Sequence, residues 1–499
     1  MTFARTLVLA AALCILPIAA AAQPAPPAAS AAIVQRIDLQ DGPIQGVVED
    51  GVARFQGIPY AAPPLGDLRW RPPTAPARWS EVRDASQPGA GCARNEDCLF
   101  LNVTKPAGAK PGAKLPVMVW IHGGAFAIGN STGGFGAVHD GAGFAKQDVI
   151  LVTLNYRLGR AGWFAHPALT KQGGPIGNYG LMDQIHALKW VRDNIASFGG
   201  DPKDVTVFGE SAGGISVLFL MLAPEANGLF RKAIVESGFA RTTPHLLAPM
   251  EDYAVKAATA AGVTGDDAAA AAALRKLPLT AFPSSGFVGA DTGPFPILDG
   301  RLIAGGVAEG FAAGRQAKIP LIIGGNSNEA SLVRPQPAQL DTVVDRKAEM
   351  LAVFDPKGSG DKARIVNDVT TVTMVTEPDR NLARLHSKAG APVWLYYFSY
   401  VPPEKRATSM GAAHTAELRY VFGGPRQKFV ADEEPLSRSM NAYWATFARR
   451  GDPGAAGGPA WPRFEASREA SMEFGAEGPT VREHHLKRQL DFVEQGVKP

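Results

Sequence analysis

The stretch VTVFGESAGGISVLFLML, residues 205 to 222, constrains the architecture of this chain more than any other feature. A β-branched run passes through small residues into an apolar run of helical length. At the junction Gly209-Glu210-Ser211-Ala212-Gly213 reads G-x-S-x-G. Between a strand and a helix this motif makes a sharp turn, which strains the serine backbone and presents its hydroxyl at the end of the sheet. Gly209 and Gly213 suit the turn because a Cβ at either would meet the crossing backbone. A serine between glycines is also ordinary loop chemistry, so the rest of the chain decides what Ser211 does.

Short β-branched or aromatic runs recur at 117–121, 149–154, 205–208, 233–237, 320–325 and 393–400. Several are nearly continuous hydrophobic runs, as expected of strands covered on both faces by helices. Between them, 181–198 carries Leu181, Ile185, Leu188, Val191 and Ile195 at helical spacing and stops at Gly199-Gly200. Residues 437–450 form a similar pattern ending at Gly451. This alternation predicts an α/β chain with a mostly parallel central sheet and helices on both faces. The N-terminal IVQRIDL, GPIQGVVED and GVARFQGIPY predict an antiparallel meander leading in, and Ala-rich 265–277 predicts a surface helix of an insertion. A length of 499 residues would allow several domains. No Ser/Gly-rich or Pro-rich linker divides the middle, however, and the chemical motifs lie too far apart for separate modules. The expectation is one large domain over 33–499, with insertions.

Residues 1–22 carry one positive charge at Arg5, an apolar run from Leu7 to Ile18, and Ala20 and Ala22 before Gln23. That pattern predicts a secretory signal peptide, too short and wrongly flanked for a spanning helix. QPAPPAASAA, residues 23–32, predicts a disordered leader, and the mature chain is expected to be exported and soluble, periplasmic or secreted. The net charge is only +3 and no block of five or six like charges occurs, so neither nucleic acid nor a membrane surface is an implied partner. With Cys14 in the leader, Cys92 and Cys98 remain, in GCARNEDCLFLNV. An even pair in an exported protein most simply forms one disulfide, the alternative being two buried thiols. A zinc site needs more ligands than this stretch supplies, and no other metal or cofactor motif is read.

A serine hydroxyl needs a base within hydrogen-bond reach and an acid to orient that base. With this turn the chain order is serine, acid, histidine. Of the downstream histidines, His484 and His485 sit in a charged stretch read as solvated surface, and His386 on a helix face. His414 lies among small residues in MGAAHTAELRYVFG, which leave room for its ring, and is the best base. Glu329, just beyond a buried strand in LIIGGNSNEASLV, is favoured as the acid over Asp299, whose Asp-Gly pair reads as a turn. A histidine base must be neutral to accept a proton, so kcat/KM should fall on the acid side with an apparent pKa of about 6 to 7. VWIHGGAFAIG, 119–129, ends a strand in small residues whose amides can approach a developing oxyanion. It is similar to the HGG-type loop of esterases, and the amide of Ala212 completes the set. His122 precedes the serine and fits that loop better as a structural residue.

With these parts in order, the chain resembles the type-B carboxylesterase family, which includes cholinesterases and bacterial para-nitrobenzyl esterases. FQGIPYAAPPLGDLRWRPP, EDCLFLNV, HGGAF, NYRLGRAGWF, FGESAGG, NSNEAS, AAHTAELRYVFG and YWATFARRGDP carry the likeness over nearly everything after the leader. The resemblance implies an α/β-hydrolase fold with Ser211 as nucleophile, Glu329 as acid and His414 as base. It implies oxyanion amides at Gly124, Ala125 and Ala212, ion pairs Arg69–Glu96 and Arg157–Asp183, and a disulfide from Cys92 to Cys98. The expected activity is hydrolysis of small-molecule carboxylic esters through an acyl-enzyme. Rival readings are an amidase or lipase of the same fold, or a hydrolase-fold binding protein that has lost catalysis. The short ARNED loop lacks the tryptophan with which cholinesterases stack on choline, so choline-ester specificity is not expected. Ala125 stands where many relatives carry glycine, which leaves the amide in place.

Overall fold

A computed structural model describes residues 33–173, 176–282, 293–342 and 346–496. The expected signal peptide and leader lie outside these residues. The chain opens with β1 (Ile33–Asp38), β2 (Pro43–Glu49), β3 (Val52–Pro59) and β4 (Phe100–Pro106), paired antiparallel in sequence. This is the predicted meander. It joins a ladder built from β5 (Leu115–Ile121), β6 (Ile150–Leu154), β7 (Gly200–Glu210), β8 (Lys232–Glu236), β9 (Leu321–Asn326), β10 (Val393–Phe398) and β11 (Ser471–Gly475). In space the order is β1-β2-β3-β4-β6-β5-β7-β8-β9-β10-β11, closed by antiparallel β12 (Gly478–Arg482). All neighbours from β6 to β11 are parallel.

The hydrophobic runs become central strands because both faces of the sheet are covered. Along β5, Val117, Val119 and Ile121 enter one core and Met118 and Trp120 the other, the period-2 alternation of a pleated strand. Helices α1 (Tyr179–Asn194) and α2 (Ala212–Leu222) fill the first core with Leu181, Leu188, Val191, Val217 and Leu218. Later in the chain come α3 (Ala268–Lys276), α4 (Glu377–Lys388), α5 (Leu418–Phe422), α6 (Glu433–Arg450) and α7 (Lys487–Gly496). Of these, α6 brings Met440, Tyr443, Trp444 and Phe447 to the second core.

The Ala-rich α3 lies at the surface as expected, packing Ala270, Ala271 and Leu274 inward and leaving 268, 269, 272 and 276 exposed. One expectation changes. His485 is half-buried against Tyr397, with ring centroids 4.7 Å apart, so only His484 is the solvated residue expected.

The register brings four strand ends together. Gly209 of β7 pairs with Ile121 of β5 and Val235 of β8, and Glu236 pairs with Gly324 of β9. The residues just beyond these ends, 122–126, 211–213, 237–239 and 327–329, therefore collect at one edge, where parallel α/β sheets place their chemistry.

Candidate active site

Ser211 links β7 to α2 at φ 55° and ψ −122°, a conformation that costs a non-glycine residue of order 1–3 kcal/mol. Its amide donates to the Glu236 carbonyl at 2.9 Å, tying the turn to β8. The glycines permit the crossing. A Cβ on Gly213 would stand 2.0 Å from the Ile121 carbonyl oxygen, and one on Gly209 2.6 Å from the Gly213 backbone. Ser211 is buried, with only 8% of its surface exposed.

His414 lies on the loop before α5. Its amide donates to Ser331 Oγ at 2.9 Å, and its Nδ1 is 2.5 Å from Glu329 Oε2. Glu329, fully buried, accepts on its other oxygen from Ser237 Oγ at 2.5 Å and from the Asn326 amide at 2.6 Å. Three contacts thus fix the carboxylate that orients the ring. His414 Nε2 has no hydrogen-bond partner and stands 3.1 Å from Oε1 of Glu210, the residue next to Ser211. Burial pulls the imidazole down, but the carboxylates of Glu210 and Glu329 outweigh it and raise its pKa to about 10. The expected value of 6 to 7 assumed no second carboxylate at the ring. Burial pushes Glu210 well above the usual carboxylate range, against the pull of His414.

Beyond β5 the chain turns through Gly124 at φ 109°, Ala125 at φ 52° and Phe126 at φ 57°. Three consecutive positive φ values turn the chain sharply here, and the Gly124 carbonyl closes the turn by accepting from the amides of Ala127 and Ile128, both at 3.0 Å. A Cβ on the adjacent Gly123 would meet Glu210 Oε2 at 2.8 Å and Ser211 Cβ at 3.0 Å, so the loop lies directly on the turn. The Ala212 amide, first in α2, adds a donor at a helix N-terminus. His122 is buried, stacked on Tyr156 at 4.5 Å, and held neutral by a burial-depressed pKa of about 4, as suits a structural residue.

The sequence matches the model of the carboxylesterase family over residues 34–355 and 348–493. The chain belongs to the carboxylesterase family. It is 36% identical over 478 residues to the fumonisin B1 esterase of Sphingopyxis macrogoltabida, covering 88% of this chain and 86% of that protein. It is 35% identical over 512 residues to the para-nitrobenzyl esterase of Bacillus subtilis (strain 168), covering 93% and 99%. A solved para-nitrobenzyl esterase structure superposes with a TM-score of 0.77 at 32% identity, over 91% of this chain and 99% of that one. The protein is a carboxylesterase of the α/β-hydrolase fold, an enzyme acting on carboxylic ester bonds.

This carboxylesterase also brings together the two expected ion pairs. Arg69 grips Glu96 through Nε and Nη2 at 2.7 and 2.6 Å, while its Nη1 donates to the Arg275 carbonyl at 2.9 Å and so holds α3. Arg157 and Asp183 form a wholly buried fork at 2.8 and 2.7 Å. Cys92 and Cys98 are joined by a disulfide. Asp299 is a turn residue, accepting from the amides of Arg301 and Ile303. His386 is buried on α4 with Nε2 2.8 Å from the Ile319 carbonyl, away from the serine.

Sequence reasoning missed four contributors. Glu210 was legible as the variable position of the motif, but nothing local shows that it faces His414. Ser237, Ser331 and Glu417 come from three different loops. Glu417 is buried, accepts from Asn326 Nδ2, and is raised to about 7 chiefly by burial and then by Glu329. Among the described residues no group of three or more His, Cys, Asp or Glu side chains is arranged to hold a metal ion, and no helix is long and apolar enough to cross a membrane.

Proposed function

We propose that Ser211, His414 and Glu329 hydrolyse carboxylic esters as a nucleophile, base and acid. Ser211 Oγ attacks the ester carbonyl as His414 Nε2 takes its proton. The amides of Gly124, Ala125 and Ala212 hold the oxyanion, and the alcohol leaves with the proton from Nε2. Water then adds to the acyl-enzyme by the same route, releasing the acid and Ser211. Glu329 fixes the tautomer and stabilises the imidazolium. The observation that carries this reading is the His414 ring, bonded to Glu329 at 2.5 Å through Nδ1 while Nε2 is unpartnered beside the residue that precedes Ser211.

The substrate class follows from what recognises it. Small neutral esters suit a site whose placed polar groups address only the carbonyl. The ARNED loop offers no aromatic ring to a cation, and Trp163 and Trp394 are both buried against phenylalanines. The reading extends to one domain over 33–499, exported after removal of residues 1–22. The Cys92–Cys98 bridge supports an oxidising compartment. Incubation with a fluorophosphonate tests the chemistry: one adduct should form and map to the Ser211 peptide, and Ser211→Ala should form none. Labelling elsewhere at equal rate would refute the assignment.

A further inference from the structure

One residue behind the catalytic acid lies a second polar cluster that the reaction does not use. A small cavity, with about 20 Å³ open to a water-sized sphere, is lined by Gly325, Asp379, Arg380, Glu469, Ser471 and His485 among others. Gly325 separates it from the active site, since a Cβ there would stand 2.8 Å from Glu329 Oε1. The lining residues carry seven buried polar atoms with no hydrogen-bond partner: both carboxylate oxygens of Asp379, Arg380 Nε, Tyr396 Oη, Glu469 Oε2, Ser471 Oγ and His485 Nε2. Asp379 is 1% exposed, Ser471 3% and Glu469 5%. Buried polar groups are almost always hydrogen-bonded, so a set of seven on the lining of one cavity calls for an occupant.

We propose that this cavity is a hydration site, holding ordered water that bonds Asp379 and bridges it to Arg380, Ser471 and the neighbouring groups. The volume fits, because a water needs roughly 10–15 Å³ of such space. The chemistry fits as well. The unpartnered set mixes acceptors, on Asp379 and Glu469, with a donor on Arg380 Nε, and water satisfies both kinds. A bare cation could accept nothing from Arg380 Nε and would sit beside a guanidinium. The outer nitrogens of Arg380 are already committed to Asp491 at 2.7 Å and Glu494 at 2.8 Å, both on α7, so Nε is its remaining donor. Glu469 is likewise half used, since Oε1 accepts from Arg384 Nε at 2.9 Å while Oε2 lies 3.5 Å from Arg380 Nη1. Burial, then the charges of Glu329 and Glu377, push the Asp379 carboxyl well above its usual range, which makes it a donor to water as well as an acceptor.

Crystals of the full-length enzyme soaked in rubidium chloride test the occupant directly. The expected result is a density peak within about 3.2 Å of an Asp379 oxygen with no anomalous signal at the rubidium edge. An empty cavity, or a rubidium peak in it, would overturn the proposal. Two variants read the same site in solution. Asp379→Asn keeps a donor and an acceptor and should hold Tm within about 2 °C. Asp379→Leu strands the other polar atoms and should lower Tm by roughly 3 °C or more, or prevent folding. A leucine variant as stable as the wild type would mean a dry cavity. An asparagine variant as damaged as the leucine one would mean that charge, not hydration, is what the site uses; either result contradicts the proposal. If neither variant folds, the crystal decides.

Discussion

Ser211, the 122–126 loop and the His414 side chain belong to different parts of the chain, and the proposed mechanism has them act on a single oxygen. On the proposed mechanism Ser211 and His414 act as a unit, so Ser211→Ala or His414→Ala should each lower kcat by roughly 10⁴-fold, and the double variant should be little worse. Steady-state kinetics on a chromogenic ester checks this, and near-native activity in Ser211→Ala would end the assignment. Glu329→Gln should also be severe, since the amide can hold the wrong tautomer. The pH dependence follows from the His414 pKa, raised to about 10 by Glu210 and Glu329 against burial. A raised pKa keeps the base protonated to higher pH. Activity is therefore lost as pH falls through the folded value, and the acid limb of kcat/KM should lie above pH 7 rather than at the 6 to 7 of an ordinary histidine. Glu210→Gln removes the carboxyl beside Nε2, the largest of the raising influences, and should move that limb to lower pH. An unmoved limb would show that Glu210 does not act on the ring.

Among the elements, the β7–α2 connection is the least tolerant. Gly213→Ala would force a Cβ to within 2.0 Å of the Ile121 carbonyl, so β5 and α2 must separate. The expected cost is about 1–3 kcal/mol or more, with kcat falling alongside Tm, because the same shift moves the oxyanion loop. Thermal melts and kinetics on one preparation would show whether the two losses travel together. The Cys92–Cys98 loop is short, and closing it is worth only about 2 kcal/mol in the chain-entropy model. Alkylation of the denatured, unreduced protein followed by mass spectrometry should find both cysteines unmodified. Two labelled cysteines would exclude the bridge from the mature enzyme.

For the molecule as a whole, the choice of ester follows from the groups that could recognise its alcohol. A cation–π contact in a desolvated site is worth about 2 kcal/mol, or roughly 30-fold in affinity, and no aromatic of the ARNED loop can supply one. A neutral isostere of butyrylcholine should therefore be hydrolysed with a kcat/KM at least comparable to that of butyrylcholine. Competition between the two esters measures the ratio. A tenfold preference for the choline ester would require another aromatic at the site, and neither buried Trp163 nor buried Trp394 could serve without rearrangement.

Local chemistry made much of this legible from sequence. The G-x-S-x-G turn works only between a strand and a helix, because two glycines must pass under a crossing backbone. The hydrophobic runs at 117–121 and 149–154 could be buried on both faces only in a helix-covered parallel sheet, and they are. Glu329 and His414 were found by order and by the small residues around them, and the ion pairs by resemblance. Contacts between distant loops were not legible. The approach of Glu210 to the free nitrogen of His414 depends on the angle at which β7 meets the loop before α5, and the brace of Ser237 on Glu329 on the register of β8 against β9. What anchors the Ala-rich surface helix was not legible either, because its composition tells nothing of Arg69, 206 residues away from Arg275, whose guanidinium holds its end. The unpaired oxygens of Asp379 are the same kind of fact. A sequence states which groups are polar, but only packing decides which of them are left without a partner.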